Sequence, residues 1–381
     1  MDAHERICCI GNEVIRTPIS WVVQLQADAI HDSFIIGPED RILVTGAAGF
    51  IGARVIEDLL DRGFRNLACF ARPSSDPARI EAIAKRYPQS VRIDILKGNL
   101  LSRADCEAAS RDAAVVFHLA AGTGEKSIPD AFMNSVVTTR NLLEASIQYA
   151  RLRRFVLVSS FTVYTNRQKS RLLDESCPVE AHPELRGDAY CFAKVKQEEL
   201  VAEYGKSFAV PYVVLRPGSV YGPGNQQITG RVGIGTFGMF LHLGGSNTIP
   251  FTHVDNCAQA IVLAGLVRGV VQGEAFNVVD DDLPSSRQFL CQYKNHVRRF
   301  HSLYVPHFVS HALCYLWEAY SRRSKGQLPL IFNRRRWHAE WRRTHYSNEK
   351  LKSRLGWTPK VFIAEGLRDY FQRCAKGGRS A

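Results

Sequence analysis

A glycine-rich turn between a strand-like and a helix-like segment constrains the fold of this chain more than any other feature. The apolar run RILVTG (41–46) is typical of a buried strand, and ARVIEDLLDRG (53–63) has the period of a helix. Gly46, Gly49 and Gly52 lie at three-residue spacing at this junction. The first glycine permits a tight turn, the second lets the backbone approach a pyrophosphate, and the third allows close helix–strand packing. The turn therefore predicts a dinucleotide-binding loop with the phosphates at the helix N-terminus.

Strand-like and helix-like segments continue to alternate as far as residue 218. Further strand-like runs lie at 66–72, 91–100, 113–121, 154–160 and 211–218, and helix-like runs at 76–87, 135–150 and 190–205. This alternation is typical of an α/β fold with a doubly wound parallel Rossmann sheet. A glycine-rich stretch without helical period follows, and we expect it to be a loop that lines a cleft. Residues 254–267 have the pattern of another helix.

We therefore divide the chain into three parts. Residues 1–39 form an N-terminal extension that holds a short strand or an amphipathic helix, and residues 40–218 form the dinucleotide-binding Rossmann domain. Residues 219–375 form mainly a smaller, C-terminal substrate-binding domain, interleaved with the last Rossmann elements. The total of 381 residues with 45% hydrophobic content is sufficient for cores of this size.

Positive charge is concentrated in the last quarter of the sequence. Residues 291–381 contain 19 Lys and Arg against 5 Asp and Glu, whereas the first 290 residues contain 30 against 32. The basic region is either a solvated face, a site for an anionic substrate such as a sugar nucleotide, or a peripheral contact with an anionic membrane. Nucleic acid is not an expected partner, because no recognition motif accompanies the charge.

The ten cysteines are scattered and form no C-x-x-C pair, which indicates a reducing compartment and no metal site. The N-terminus does not have the pattern of a secretory signal, and no apolar run reaches the roughly 18 residues of a membrane span. We expect a cytoplasmic protein that is soluble or peripheral to a membrane.

Tyr190 and Lys194 are the candidate acid–base pair. They share one face of a predicted helix that follows a strand ending at Ser160, so all three side chains are expected at the edge of the sheet that carries the glycine turn. Tyr346 and Lys350 have the same spacing but no such strand before them, and we interpret that second match as structural.

The chemistry of hydride transfer needs these residue types. Free tyrosine has a pKa near 10, and a neighbouring Lys194 together with an oxidised nicotinamide would lower it, so that Tyr190 can exchange a proton with a substrate hydroxyl. Ser160 would hydrogen-bond the substrate oxygen as charge develops on it. Arg72 follows the second strand and favours the 2′-phosphate of NADP, whereas a carboxylate from Asp76 would favour NAD, so the cofactor is NAD or NADP.

Over roughly residues 41–370 the chain resembles the extended short-chain dehydrogenase/reductase family, also called NAD-dependent epimerase/dehydratases. The motifs are TGAAGFIG, VVFHLAA, VSSFTVY, YCFAK, LRPGSVYGPG, THVDNCAQA and YSNEKLKSRLGWTPKV. The resemblance implies a small-molecule substrate, a homodimer and the catalytic trio Ser160, Tyr190 and Lys194. It further implies cofactor contacts from Gly46, Gly49, Phe50, Ile51, Gly52, Ala120, Ala121, Lys194 and Pro217.

Several positions depart from the family pattern. Ser135 stands where the family often has Asn, which leaves that contact open. Residues 160–162 lack the Thr-Asp-Glu set of sugar dehydratases, so we do not expect dehydration. Gly218 and Ser219 replace the Asn of many sugar-nucleotide epimerases, as in some hydroxysteroid and dihydroflavonol-type members.

Three functions follow, in order of preference. The first is an epimerase acting on a carbon of a nucleotide sugar, and the second is an NADP-dependent dehydrogenase or reductase of a 3β-hydroxysteroid-like or dihydroflavonol-like alcohol. The third is a non-catalytic nucleotide-binding scaffold. For the first function, five arginines are candidates to clamp a diphosphate: Arg334, Arg335, Arg336, Arg342 and Arg343. For the second, the segment HFVSHALCYLWEAYSRR (307–323) is a candidate to rest on a membrane, and the alternative is that its aromatic residues belong to a core.

Overall fold

The computed structural model describes residues 33–122, 124, 127–225, 227–236, 238–324, 327, 328, 330 and 332–377. The first 32 residues of the predicted N-terminal extension lie outside this range. Of the rest of the extension, Phe34 pairs with Val267 in an isolated antiparallel bridge.

The described chain forms fourteen strands and twelve α-helices. The strands are β1 (Arg41–Thr45), β2 (Asn66–Ala71), β3 (Arg92–Lys97), β4 (Ala113–His118), β5 (Arg154–Val158), β6 (Leu172–Leu173), β7 (Tyr212–Pro217), β8 (Ser219–Tyr221), β9 (Gly233–Thr236), β10 (Met239–His242), β11 (Phe251–His253), β12 (Ala275–Val278), β13 (Ser302–Tyr304) and β14 (His345–Tyr346). The helices are α1 (Phe50–Asp61), α2 (Ala78–Ala84), α3 (Arg103–Ser110), α4 (Ile128–Ala131), α5 (Thr138–Tyr149), α6 (Ala189–Ser207), α7 (Val254–Leu266), α8 (Ser286–His296), α9 (His307–Arg323), α10 (Arg334–Trp341), α11 (Glu349–Leu355) and α12 (Ile363–Gly377). A π-helical segment (Phe132–Val137) precedes α5, and 3-10 turns lie at Phe161–Val163 and Pro183–Arg186.

Seven strands form the central sheet in the order β3-β2-β1-β4-β5-β7-β12. All their pairings are parallel. The chain runs outward from β1 to β3 and then crosses back to β4 on the other side of β1, so the order reverses between β1 and β4. Loops that leave these two neighbouring strands diverge and open a crevice at their carboxyl ends. The predicted α/β fold with a doubly wound parallel Rossmann sheet is confirmed.

The sheet is covered on both faces because its strands alternate their side chains between two apolar cores. Ile42 and Val44 of β1 pack in one core with residues of α1 and α7, including Leu59 and Ile261. Leu43, between them, packs in the opposite core with residues of α3, α5 and α6.

The segment after Gly218 differs from the predicted loop because it contains three short strands. β9 and β10 pair antiparallel, and Gly238, with φ +73°, lies in the turn between them. A positive φ suits a tight hairpin turn, and glycine adopts it without steric cost. β13 adds to β10 and completes a smaller C-terminal sheet.

Helices α8, α9, α10 and α12 surround this smaller part of the molecule. Phe289, Tyr293 and Phe371 belong to one of its apolar clusters, and Trp337 and Trp341 belong to another. In the described part of the chain, no helix is long and apolar enough to cross a membrane.

Gly265 marks the close contact between α7 and the sheet and provides a test of that packing. A Cβ at this position would lie 2.4 Å from the buried ring of Phe117 and 3.1 Å from Val156. For Gly265→Ala we expect a net loss of about 1–2 kcal/mol in the free energy of unfolding, since overpacking outweighs the gain in helix propensity. Denaturant titration measures this change in the free energy of unfolding. The control Gly235→Ala, with nothing within 4 Å of the added Cβ, should change the free energy by less than about 0.5 kcal/mol; equal effects would contradict the packing argument.

Candidate active site

The glycine turn after β1 has the geometry of a phosphate loop. Gly46 has φ +69°, and a Cβ there would lie 3.0 Å from the backbone nitrogen of Ala120 at the end of β4. A Cβ on Gly52 would lie 2.2 Å from the carbonyl oxygen of Gly46. Both positions therefore require glycine, and the turn lies against the neighbouring strand end as the sequence predicted.

The N-terminus of α1 points its free backbone groups at this turn. Gly49 is the N-cap in an extended conformation and makes no side-chain cap. The first N–H groups of a helix have no intrahelical partners and carry the positive end of the helix dipole. Together with the glycine cradle they form a site whose donors fit a pyrophosphate.

A cleft of about 660 Å³ runs from this turn to the tips of β5 and β7. All the residues that the sequence predicted for the site line it. They are Gly46, Gly49, Phe50, Ile51, Gly52, Arg72, Ala120, Ala121, Ser160, Tyr190, Lys194 and Pro217. The structure thus brings together residues from six separate segments of the chain.

The side chains of Ser160 and Tyr190 both line the cleft, and they lie near enough to each other for the serine hydroxyl to influence the pKa of the phenol. Asp188 caps α6 by accepting hydrogen bonds from the backbone of Tyr190 and Cys191, which fixes the first turn that carries the phenol. Burial raises the pKa of Tyr190 to about 12, and the nearby Ser160 hydroxyl opposes that rise. The pKa of the phenol is therefore raised by its surroundings, whereas we expected Lys194 to lower it.

Lys194 lies one turn further along α6, on the same face. Its Nζ donates to the carbonyl oxygen of Val158 at 2.8 Å and lies 5.9 Å from the centre of the Tyr190 ring. Burial lowers the pKa of Lys194 to about 8, and the carboxylate of Glu198 opposes that lowering. The amine is therefore mainly an ammonium at neutral pH, held at the strand tip beside the phenol.

Glu198 links α6 to the sheet through a buried ion pair that sequence reasoning missed. Its carboxylate accepts two hydrogen bonds from Arg216 of β7, at 3.0 and 2.6 Å, and one from the Ser159 hydroxyl of the β5 tip. Arg216 also donates to the Tyr164 hydroxyl at 2.9 Å, and Tyr164 donates to Asn277 of β12. This network joins three strands to the helix that carries Tyr190 and Lys194. Ser159 therefore has a structural partner, while Ser160 faces the phenol.

Sequence reasoning also missed the structural role of His118, at the end of β4. Thr139 donates to the carbonyl oxygen of Ser135, and Thr45 accepts from the backbone of Ala120. Their hydroxyl oxygens lie 2.9 Å from His118 Nε2 and 2.8 Å from His118 Nδ1, respectively. With the Thr139 proton engaged, Nε2 must be the donor and Nδ1 the acceptor. Burial lowers the pKa of His118 to about 3, so this neutral ring joins β1, β4 and α5 without adding charge.

The structure shows where the side chains behind two open points of the sequence analysis lie. Ser135 is buried, and its hydroxyl accepts from the backbone of Gly122. Asn134, one position earlier in the π-helical segment, lines the cleft instead. Asp76 accepts from the backbone of Ala78 at the start of α2, whereas Arg72 lines the cleft.

The five C-terminal arginines do not support the predicted diphosphate clamp. Four of them bind other parts of the protein: Arg334 pairs with Glu318, Arg335 with Glu180 and Arg336 with Glu340, while Arg342 donates to the carbonyl oxygen of Asn166. In the described part of the chain none of the five lines the cleft. Glu180 and Glu318 are distant in sequence from the arginines they engage, whereas Glu340 lies one turn after Arg336 on the same helix.

Tyr346 and Lys350 do not form a second acid–base pair. Tyr346 lies in β14 and stacks on Phe161 with ring centres 5.5 Å apart. Lys350 belongs to α11, where it pairs with Glu274 and lies over the ring of Phe276.

The sequence profile of the NAD dependent epimerase/dehydratase family matches residues 42–278. This chain belongs to that family. The match covers β1 to β12, which is the whole central sheet and all the residues of the cleft discussed above. The prediction of a cofactor of the NAD type is confirmed at the level of this family, and the glycine cradle fits its pyrophosphate. Among the described residues there is no cluster of three or more His, Cys, Asp or Glu that could hold a metal ion.

Relatives in this family have different substrates in their names. The chain is 29% identical over 257 residues to an uncharacterized UDP-glucose epimerase of Bacillus subtilis, covering 62% of this chain and 76% of that protein. It is 27% identical over 345 residues to a sterol-4-alpha-carboxylate 3-dehydrogenase of Saccharomyces cerevisiae, covering 86% and 96%. The fold is similar to that of UDP-glucuronic acid 4-epimerase from Bacillus cereus, solved with UDP-glucuronic acid and NAD, with TM-score 0.65 and 21% identity over 88% of this chain and 99% of that one.

The Glu198–Arg216 pair provides a test of the support beneath the site. Its side chains are only 11% and 9% exposed, so Glu198→Gln leaves a buried guanidinium without its counter-charge. We expect a loss of about 3–5 kcal/mol in the free energy of unfolding, measured by denaturant titration. Glu199→Gln on the same helix removes an exposed pair with Lys196 and should cost less than about 1 kcal/mol. Similar losses for the two variants would show that the buried pair does not support the site.

Proposed function

We propose that this family member is an NAD(P)-dependent enzyme that transfers a hydride to or from a secondary alcohol or ketone carbon. The observation that carries the proposal is that Ser160, Tyr190 and the Lys194 ammonium meet in the cleft that the glycine turn begins, with Lys194 Nζ 5.9 Å from the centre of the Tyr190 ring. A nucleotide-binding scaffold without catalysis does not require a phenol and an ammonium at this position.

The three side chains have separate roles in the proposal. Tyr190 exchanges the proton of the substrate oxygen, Ser160 hydrogen-bonds that oxygen as charge develops on it, and Lys194 contributes a nearby positive charge. Because the pKa of Tyr190 is about 12, the phenol is protonated at neutral pH and is ready to act as the acid in carbonyl reduction. A bound nicotinamide would supply or accept the hydride, and in its oxidised form it would add a positive charge that favours phenolate.

For the substrate we favour an apolar alcohol or ketone, handled with net oxidation or reduction, over a nucleotide sugar. This reverses the preference drawn from the sequence, where the free arginines of the C-terminal region supported a diphosphate. Four of those five are engaged within the protein. The yeast sterol dehydrogenase, whose match covers 86% of this chain, supports the same choice. Epimerisation of a nucleotide sugar remains the second candidate, favoured by the relative in Bacillus subtilis.

Cofactor retention distinguishes the two candidates. A dehydrogenase or reductase exchanges its cofactor and consumes it in step with the substrate, whereas an epimerase keeps it bound and shows no net redox change. Denaturing the purified protein and identifying any released nucleotide by mass tests this point. Release of tightly held NAD would contradict net oxidation or reduction and would favour epimerisation.

The homodimer, the cytoplasmic location and the division into domains at residues 39, 218 and 375 stay predictions. The peripheral membrane contact is developed below.

Replacing Tyr190 by Phe tests the catalytic assignment. The ring is kept and only the exchangeable proton is lost, so we expect turnover to fall about 10²–10⁴-fold while the affinity for the reduced cofactor stays within about twofold. Nicotinamide absorbance measures turnover, and cofactor fluorescence measures binding. The matched control is Tyr346→Phe in the second Tyr-x-x-x-Lys sequence, which should retain turnover. Unchanged turnover in Tyr190→Phe would refute the proposed role.

Arg72 tests the choice of cofactor. It lines the cleft after β2, while Asp76 is engaged with the backbone of α2, so we propose a preference for NADP(H). Arg72→Ser should weaken NADPH binding about tenfold or more and leave NADH binding nearly unchanged, since only NADPH loses a charge-assisted contact. Asp76→Asn, measured by the same titrations, should preserve the preference. A wild-type protein that binds NADH more tightly than NADPH would contradict the assignment.

A further inference from the structure

Helix α9 has an inverted distribution of polar and apolar side chains. The residues that it buries are Ser310, Cys314, Glu318 and Ser321. Five of its large apolar and aromatic residues are exposed, namely Phe308 (78%), Leu313 (56%), Tyr315 (52%), Leu316 (61%) and Tyr320 (63%), whereas Trp317 is half-buried against Phe332. At 3.6 residues per turn these five fall within about half of the helix circumference. A surface helix of a water-soluble protein normally has the opposite arrangement, with its apolar stripe against the core. We call these five residues the α9 stripe.

Polar contacts on the buried side fix the rotation of the helix. Trp337 of α10 donates its indole N–H to the Ser310 hydroxyl at 2.9 Å. Arg334 of the same helix pairs with Glu318 at 3.0 Å, and Ser321 donates to the carbonyl oxygen of Leu328 at 2.8 Å. Turning the α9 stripe inward would break all three contacts, so the stripe is an outward face of the folded chain.

The surroundings of the stripe are positively charged. Arg322 and Arg323 in the last turn of α9 are exposed, and Arg322 also pairs with Glu318. Residues 298–343 contain ten Lys and Arg but only two Asp and Glu. Both acids, Glu318 and Glu340, are already paired with arginines. The C-terminal part of the molecule therefore has surplus positive charge next to an apolar surface.

We propose that α9 lies in the plane of a lipid bilayer that contains anionic lipids, with the α9 stripe inserted at the headgroup–acyl boundary. An anionic bilayer is the partner that supplies both apolar contact and negative charge along one plane, and tyrosines are well suited to its interface. A second copy of this chain would instead bring another positively charged surface against the first. The helix rests on the bilayer without crossing it, in agreement with its length and composition.

The surface is connected to the active site through α10. Asn333, the N-cap of α10, donates to the carbonyl oxygen of Arg186, four residues before Tyr190. The bilayer-facing helix is thus two contacts away from the segment that carries the phenol. The proposal itself does not depend on the reaction or the substrate, because the binding of lipid is measured without either.

Vesicle flotation with the purified full-length protein tests the proposal. We expect binding to vesicles of phosphatidylcholine with phosphatidylserine to be about tenfold or more stronger than to phosphatidylcholine alone, and to weaken as salt is added. Combining Phe308→Ser, Leu313→Ser and Leu316→Ser should reduce binding to the anionic vesicles about tenfold or more. Arg322→Gln with Arg323→Gln should reduce the preference for anionic lipid.

A matched triple variant controls for general loss of surface hydrophobicity. Three residues outside α9 have exposed fractions similar to those of the α9 stripe: Phe208 (58%), Val271 (60%) and Phe362 (66%). Replacing these three by Ser should leave vesicle binding unchanged. Thermal unfolding and cofactor fluorescence verify that every variant is folded. The proposal is overturned if the wild-type protein does not float with anionic vesicles, or if both triple variants bind equally. It is also overturned if the α9 triple variant separates a dimer of this chain into monomers and leaves vesicle binding unchanged.

Discussion

The reversal of strand order between β1 and β4 is the constraint on which the rest of the site depends. At this one place two parallel strands send their loops in opposite directions, so backbone can recede and leave a crevice. The glycine turn occupies one side of it, with Gly46 against the backbone of Ala120. The tips of β5 and β7 lie further along the same edge and bring Ser160 and Pro217 to the same cleft.

Helix α6, which carries Tyr190 and Lys194, is oriented by charge as well as by apolar packing. Glu198 holds Arg216 and Ser159, while Lys194, one turn earlier, holds the Val158 carbonyl. The ammonium and the carboxylate thus attach the same face of α6 to two adjacent strands. Such buried pairs contribute modestly to net stability but strongly penalise the loss of one member. The spacing of Tyr190 from Ser160 follows from this attachment, because the phenol is on the first turn of the same rigid helix.

The sequence predicted local features well and long-range polar contacts poorly. The strand before Gly46 and the spacing of Tyr190 and Lys194 are local patterns, and the structure places both as expected. The pairing of Glu198 with Arg216 depends on the packing of α6 against the sheet, which no short motif encodes. The π-helical segment was also not predictable from a short motif. Its extra residue per turn places Asn134 in the cleft, whereas the spacing of a regular α-helix does not predict this position.

The C-terminal quarter shows the same limit. Its charge was evident from composition, but the carboxylates that neutralise Arg335 and Arg336 come from a distant loop and from the next helical turn, and only the three-dimensional structure shows which arginines are engaged. The face that α9 exposes could not be read from its sequence either, because a stripe of aromatic and aliphatic residues is equally compatible with a core.

The glycine turn and the rim of the cleft differ in how freely they can be mutated. Gly46 and Gly52 leave no room for a side chain, so the backbone that cradles a diphosphate offers almost no scope for adjustment by mutation. Arg72 is exposed at the rim and is free of this restriction. With the role proposed for Arg72, editing the rim would change which dinucleotide is accepted, while the main chain alone would set how tightly the shared pyrophosphate is held.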